Sequence, residues 1–225
     1  MASKEEQIMG LVRTQDLTVS WISEAGRRGS NTDRVCILTM ANGQVRITMQ
    51  STTLNLKGMR LTKGHICVFA LFEACDPGKG EAADRASEMF MNMVMRYDIT
   101  KKPAADVLKK CLSKVNKKVT KEIKDAKYKA SIAAFAAKDL TVCSIGGGKM
   151  FIIPDGGKIS EFASPDIKIT NIGAAWKDVM LVSGGYPVVV DEIKDDLRSP
   201  IGDLITKRDM RSSNEPVSMI RVQRL

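Results

Sequence analysis

Gly146-Gly147-Gly148-Lys149 is the stretch that most directly suggests chemistry, because glycines leading into a lysine can cradle phosphate with backbone amides. The glycine that should open such a loop is missing, Met150 stands where Ser or Thr would follow the lysine, and a strand-like run comes next. The stretch is therefore expected to form a tight hairpin turn. His65 is the chain's single histidine, so a multi-histidine metal site is excluded, and Ser-His or Cys-His catalysis would have to use this one residue. The five cysteines (36, 67, 75, 111 and 143) are widely spaced without a C-x-x-C pair and read as small buried hydrophobes. Met89, Met91, Met93 and Met95 point to different sides of a helix, which suits core filling better than convergence on copper.

The charge is concentrated. Between Lys101 and Lys129 eleven lysines face three acids, with no arginine and only Tyr128 as an aromatic. Two readings stand: a solvated helix face whose stems cover apolar neighbours, or a docking surface for an acidic partner. Lys109, Lys110, Lys114, Lys117, Lys118 and Lys121 would form that surface. The paucity of stacking and bidentate groups argues against sequence-specific nucleic-acid readout.

Elements that could position these residues follow from periodicity. Strand-like runs span residues 17–22, 34–40, 45–49 and 66–72, with Asn42-Gly43 a hairpin signal between the second and third. Ala82, Ala86, Met89, Phe90, Met93 and Tyr97 predict a core-facing helix. Leu108, Leu112, Val115, Val119 and Ile123 predict a second one after Pro103. Strands are then expected over 131–137, 140–145, 150–153, 158–162 and 178–182, short helices near 188–197 and 200–210, and a last strand over 216–222. The 225 residues, 44% apolar, suit one domain over 1–225, with 1–15 a flexible or peripheral segment. No signal peptide or bilayer-spanning run is present, so an intracellular, cytoplasmic protein is expected. The pattern alone gives the α+β class.

Four stretches, in order, resemble the metal-dependent serine/threonine protein phosphatase (PP2C-like) family from about Trp21 to Leu225. They are Gly26 to Arg34; Phe69 to Ala83; Ala130 to Ala133 with Leu140 to Lys149; and Asp178 to Gly185 with Glu215 to Ser218. The resemblance implies a four-layer α-β-β-α sandwich of two antiparallel sheets flanked by helices. It also implies that Arg28 is a phosphate-binding arginine and Asp33 a metal ligand, with Thr32 in place of a glutamate. Glu73 would replace the aspartate that bridges two metals, and Cys75 a histidine. Gly147 and Lys149 would replace an aspartate and an arginine. Gly184 replaces a ligand aspartate outright, and Glu215 with Pro216 replaces an Asp-Asn pair. The insert between the last two elements is short, about 20 residues from Ala163 to Val182.

A binuclear site needs several oxygens to hold two cations around one activated water, and such geometry tolerates little displacement. With Gly184 bare and Glu73 and Glu215 each a methylene too long, the chain is expected to be a catalytically inactive pseudophosphatase. It would be a degenerate member that acts as a protein-binding scaffold or structural subunit of a larger assembly. No cofactor is expected, a single residual manganese or magnesium ion being the alternative left open. Two other functions remain in play: a divergent Mn/Mg-dependent phosphatase using Asp33, Glu73 and Glu215, and a basic nucleic-acid-associated protein. The expected partner is a protein, acidic or part of a multi-subunit complex. Capture of a phosphorylated residue by Arg28 and Lys149 without cleavage is a variant of the leading reading.

Overall fold

The computed structural model describes residues 8–13, 16–25, 31–41, 44–49, 52–57, 66–75, 80–97, 102–136, 138–186, 192–209 and 213–225. Thirteen strands form two antiparallel sheets among them. One contains β1 (Ile8–Arg13), β2 (Leu17–Glu24), β13 (Val217–Arg224), β12 (Asp178–Val182), β9 (Lys149–Ile153) and β10 (Ser160–Phe162), in that spatial order. The other runs β11 (Lys168–Gly173), β8 (Asp139–Ile145), β7 (Tyr128–Ala136), β6 (Ile66–Ala74), β3 (Arg34–Ala41), β4 (Gln44–Met49), β5 (Thr52–Lys57).

Side-chain alternation sets the layers. In β6, Ile66, Val68, Ala70 and Phe72 pack under helices, while Cys67, Phe69 and Leu71 face the other sheet. A strand apolar on both faces must be covered on both, so β6 reads as a continuous apolar run rather than an alternating one. The facing sheet behaves likewise: Val179 and Leu181 of β12 point between the sheets, and Met180 and Val182 point outward. Helices α1 (Glu81–Arg96) and α2 (Ala104–Glu122) cover the seven-stranded sheet through Phe90, Val94, Leu108, Leu112, Val115 and Val119. On the six-stranded sheet lie α3 (Ile193–Arg198), a 3-10 turn (Ile201–Asp203) and α4 (Leu204–Lys207), docked by Ile193 and Leu204. This is the four-layer α-β-β-α sandwich of the PP2C-like fold. The four methionines of α1 all pack on the helical core, Met91 fully and the others partly.

Differences from the sequence reading have physical causes. Strands β1, β5 and β11 were not expected; each lies at a sheet edge, where pairing on one side suffices, and β11 has no fully buried residue to mark it. The glycine stretch is a tight turn but not a hairpin, because β8 and β9 belong to different sheets. Gly146 and Gly147 take φ of +67° and +87°, and a Cβ on Gly148 would sit 2.2 Å from the Ala130 carbonyl oxygen. The chain thus crosses between sheets by passing hard against β7, which only glycine permits. The expected helix near 188–197 starts later, at Ile193, and residues 187–191 are outside the described residues. The Asn42-Gly43 turn also lies outside them, although Ala41 pairs with Gln44 on either side.

Candidate functional site

The rows of inward-facing residues turn polar at one end of the sandwich. Continuing each inner row by two residues leads from Val35 to Asp33, from Leu71 to Glu73, from Trp21 to Ser23 and from Ile220 to Ser218. Lys129 extends the same row on β7, beyond Ser131 and Ala133. A period of two therefore carries each apolar row into one polar cluster.

Gly184 is where this cluster meets the end of β12. Its backbone N–H donates to Glu73 Oε2 at 2.7 Å. A Cβ at this position would lie 3.3 Å from Lys129 Nζ, 3.4 Å from Glu73 Oε2 and 3.6 Å from Glu215 Oε2. Glu73 and Lys129 are directly opposed in the β6–β7 register, with Nζ 3.9 Å from Oε2. Two carboxylates, one ammonium and one amide thus surround the spot where the resemblance places an aspartate. Sequence alone groups Lys129 with the basic segment; only the strand register brings it to Glu73.

Asp33 is 3% exposed and held by its neighbours. Its N–H donates to Asn31 Oδ1 at 3.0 Å, and Asn31 Nδ2 donates to Ser23 Oγ at 2.6 Å. The Ser23 and Ser218 hydroxyls share a 2.6 Å hydrogen bond. Arg34 donates to the carbonyls of Asn31 and Asp33 and pairs with Asp84 of α1, tying this segment to the helix. Burial, followed by the Glu73 charge, pushes the Asp33 carboxyl up to about 8, against hydrogen bonds from Ser218 and Ser183. Glu73 is also raised, first by burial, against the Gly184 amide and Lys129, with Glu215 pushing it further up.

The remaining positions fall elsewhere. Arg28 lies outside the described residues. Thr32 is buried, and a Cβ on Gly80, just before α1, would meet its methyl at 3.4 Å. Cys75 is exposed just past β6. Lys149 belongs to the outward row of β9: its ammonium is 3.6 Å from Glu161 and 5.1 Å from the centroid of the Phe151 ring. It does not join Asp33 and Glu73, so the pairing of Arg28 with Lys149 has no support from its placement. Lys109, Lys110, Lys114, Lys117, Lys118 and Lys121 are exposed on α2, outside the seven-stranded sheet and not between the sheets.

No protein-family model matches the chain, and no curated protein matches it in sequence. Solved structures do match. RsbX in complex with magnesium aligns at TM-score 0.61 and 13% identity, covering 97% of this chain and 100% of that one. The catalytic domain of the serine/threonine protein phosphatase PstP, in complex with two manganese ions, aligns at TM-score 0.60 and 15% identity over 93% and 99%. The SiaA-PP2C domain of Pseudomonas aeruginosa aligns at TM-score 0.60 and 10% identity over 92% and 85%.

These neighbours correct one expectation. The absence of any cofactor does not follow, because RsbX holds magnesium and PstP two manganese ions on this fold. The two-ion arrangement is a separate matter, and the residues present do not fit it. Glu73 Oε2 is engaged by the Gly184 amide and lies beside the Lys129 ammonium, and among the described residues no three His, Cys, Asp or Glu side chains converge as ligands. A cation already placed beside Glu73 opposes a pair of divalent ions there. From sheet order to the end of the sandwich where the acids gather, the chain has the PP2C-like protein phosphatase fold.

Proposed function

We propose that this chain is a phosphatase-fold protein that does not hydrolyse phosphoesters and acts by binding another protein, as a scaffold or as a subunit of a larger assembly. The observation that supports it is the arrangement at Gly184. Where a further carboxylate would complete a two-ion site, the chain offers a bare backbone whose amide binds Glu73, and the side chain nearest that spot is the ammonium of Lys129. A lone ion bound at Asp33 would not alter this reading, since a hydroxide activated between two cations needs both.

The test is turnover of p-nitrophenyl phosphate and of a phosphoserine peptide with millimolar manganese or magnesium. The expected rate is the same for the wild-type protein and for Asp33→Ala, at the level of the buffer. Metal-dependent turnover that disappears in Asp33→Ala would establish the alternative, a divergent Mn/Mg-dependent phosphatase. That alternative draws on the gathering of Asp33, Glu73 and Glu215 at one end of the sandwich.

A further inference from the structure

We infer that the solvent face of α2, together with the cleft along its C-terminal half, docks an acidic extended peptide segment of a partner protein. The inference rests on the protein-binding reading above and supplies its surface and its ligand chemistry.

Lys110, Lys114, Lys117 and Lys121 follow one another at steps of four, three and four residues, so they form a single stripe on the helix. At about 1.5 Å per residue the stripe is roughly 16 Å long. It lies opposite the buried row of Leu108, Leu112, Val115 and Val119. All four lysines are exposed, and no carboxylate among the described residues pairs with any of them. The acid nearest the end of the helix, Glu122, is taken by Arg85 at 2.9 Å and by Lys118 at 3.5 Å on the flank towards α1. Lys110 also has its ammonium 5.3 Å from the Tyr97 ring centroid, which orders one end of the stripe. Four uncompensated cations in a row are a cost to the isolated protein that an anionic partner would relieve.

Beside the stripe the surface is concave. A cleft of about 510 Å³ opens between α2, the start of β7 and the segment before β11, and Asn116 of α2 forms part of its wall. Ala126, Ile145, Pro165 and Ile167 give it an apolar lining, with Lys127 and Asp166 among its polar residues. Asn116 lies on the flank of α2 between the buried row and the stripe, so a segment crossing the helix surface would reach both stripe and cleft. Together they suit a chain that lays carboxylates on the lysines and inserts one apolar side chain.

Other anionic occupants fit less well. Between residues 101 and 129 there is no arginine, the one aromatic, Tyr128, is 5% exposed, and the Tyr97 ring beside the stripe is faced by Lys110, so no row of free rings is available for stacking bases. A membrane surface would want apolar side chains beside the lysines. Among the described residues the exposed large hydrophobics are Met9, Leu11 and Leu225, which belong to the six-stranded side.

The experiment uses a short fluorescein-labelled peptide of glutamates around one central leucine, titrated with the full chain and read by anisotropy. Expected are saturable binding, about tenfold weaker binding of the peptide with serine in place of leucine, and loss of at least tenfold in the Lys114→Gln, Lys117→Gln, Lys121→Gln triple variant. Those lysines are exposed, and an unchanged circular dichroism spectrum checks that the triple variant is folded. No saturable binding, indifference to the leucine, or equal binding by the triple variant would overturn the inference. So would tighter binding of duplex DNA or of phosphatidylserine vesicles than of the peptide. Failure here with no phosphatase turnover removes this surface alone. Turnover lost in Asp33→Ala removes the silent-phosphatase reading while leaving the peptide result standing.

Discussion

Asp33 combines nearly full burial with a carboxylate neighbour and serine hydroxyls at the end of two sheets. Its carboxyl, with an ordinary value of 3.8, is pushed up to about 8 in the folded chain, so over that interval the folded state holds a proton that the unfolded chain has released. Stability linked to this group is complete below about pH 4, falls as pH rises, and is fully lost above about pH 8. Asp33→Asn has no proton to lose, so the stability difference between wild type and variant should shift towards the variant as pH rises across that range. Urea midpoints at acid and mildly alkaline pH measure it, and a difference independent of pH would refute the assignment. Asp33, Glu73, Glu215 and Gly184 were legible in the sequence because their neighbours resemble family elements. Lys129 was not, since its partnership with Glu73 is created by β6–β7 pairing across fifty-six residues of chain.

At the scale of the element, legibility followed burial. Strands with both faces covered, such as β6 and β12, and helices with one apolar stripe, such as α1 and α2, carry their pattern in local composition. Strand β11 has no such pattern: it is nowhere fully buried, and its register with β8 shifts between Asn171 and Gly173. The glycine turn after β8 shows a different limit, because sequence gives the turn but not which sheet receives the next strand. Its geometry separates two substitutions. Gly147→Ala meets nothing within 4 Å and bears only the cost of φ at +87°, about 1 kcal/mol. Gly148→Ala drives a methyl into the Ala130 carbonyl at 2.2 Å, backbone against backbone, and should cost about 3 kcal/mol. Equal losses in chemical denaturation would mean that the chain does not pass β7 so closely.

Across the whole molecule the two outer layers are unequal. Among the described residues two long helices cover the seven-stranded sheet with a broad apolar face, while two short helices and a 3-10 turn cover the six-stranded sheet. Helices that short bring little apolar area, and a polar network supplements them. Asp196 of α3 is fully buried and accepts from the Tyr186 hydroxyl at 2.8 Å and from Arg208 Nη2 at 2.8 Å, with Lys207 at 3.2 Å. Arg208 also pairs with Glu192, so one guanidinium ties together both ends of the layer. Nothing in the acid-rich run Asp195-Asp196 distinguishes the exposed residue from the buried one, which is why the layer order came from family resemblance and this anchor from the structure alone. Asp196→Ala leaves the buried Tyr186 hydroxyl without its acceptor and Arg208 with Glu192 alone, and an unsatisfied buried partner costs about 1–3 kcal/mol. Asp195→Ala, one residue earlier and exposed, should cost less than about 0.5 kcal/mol. If the layer is held mainly by Ile193 and Leu204 instead, urea denaturation will show the two alanine variants alike, and the network will have been ornament on an apolar contact.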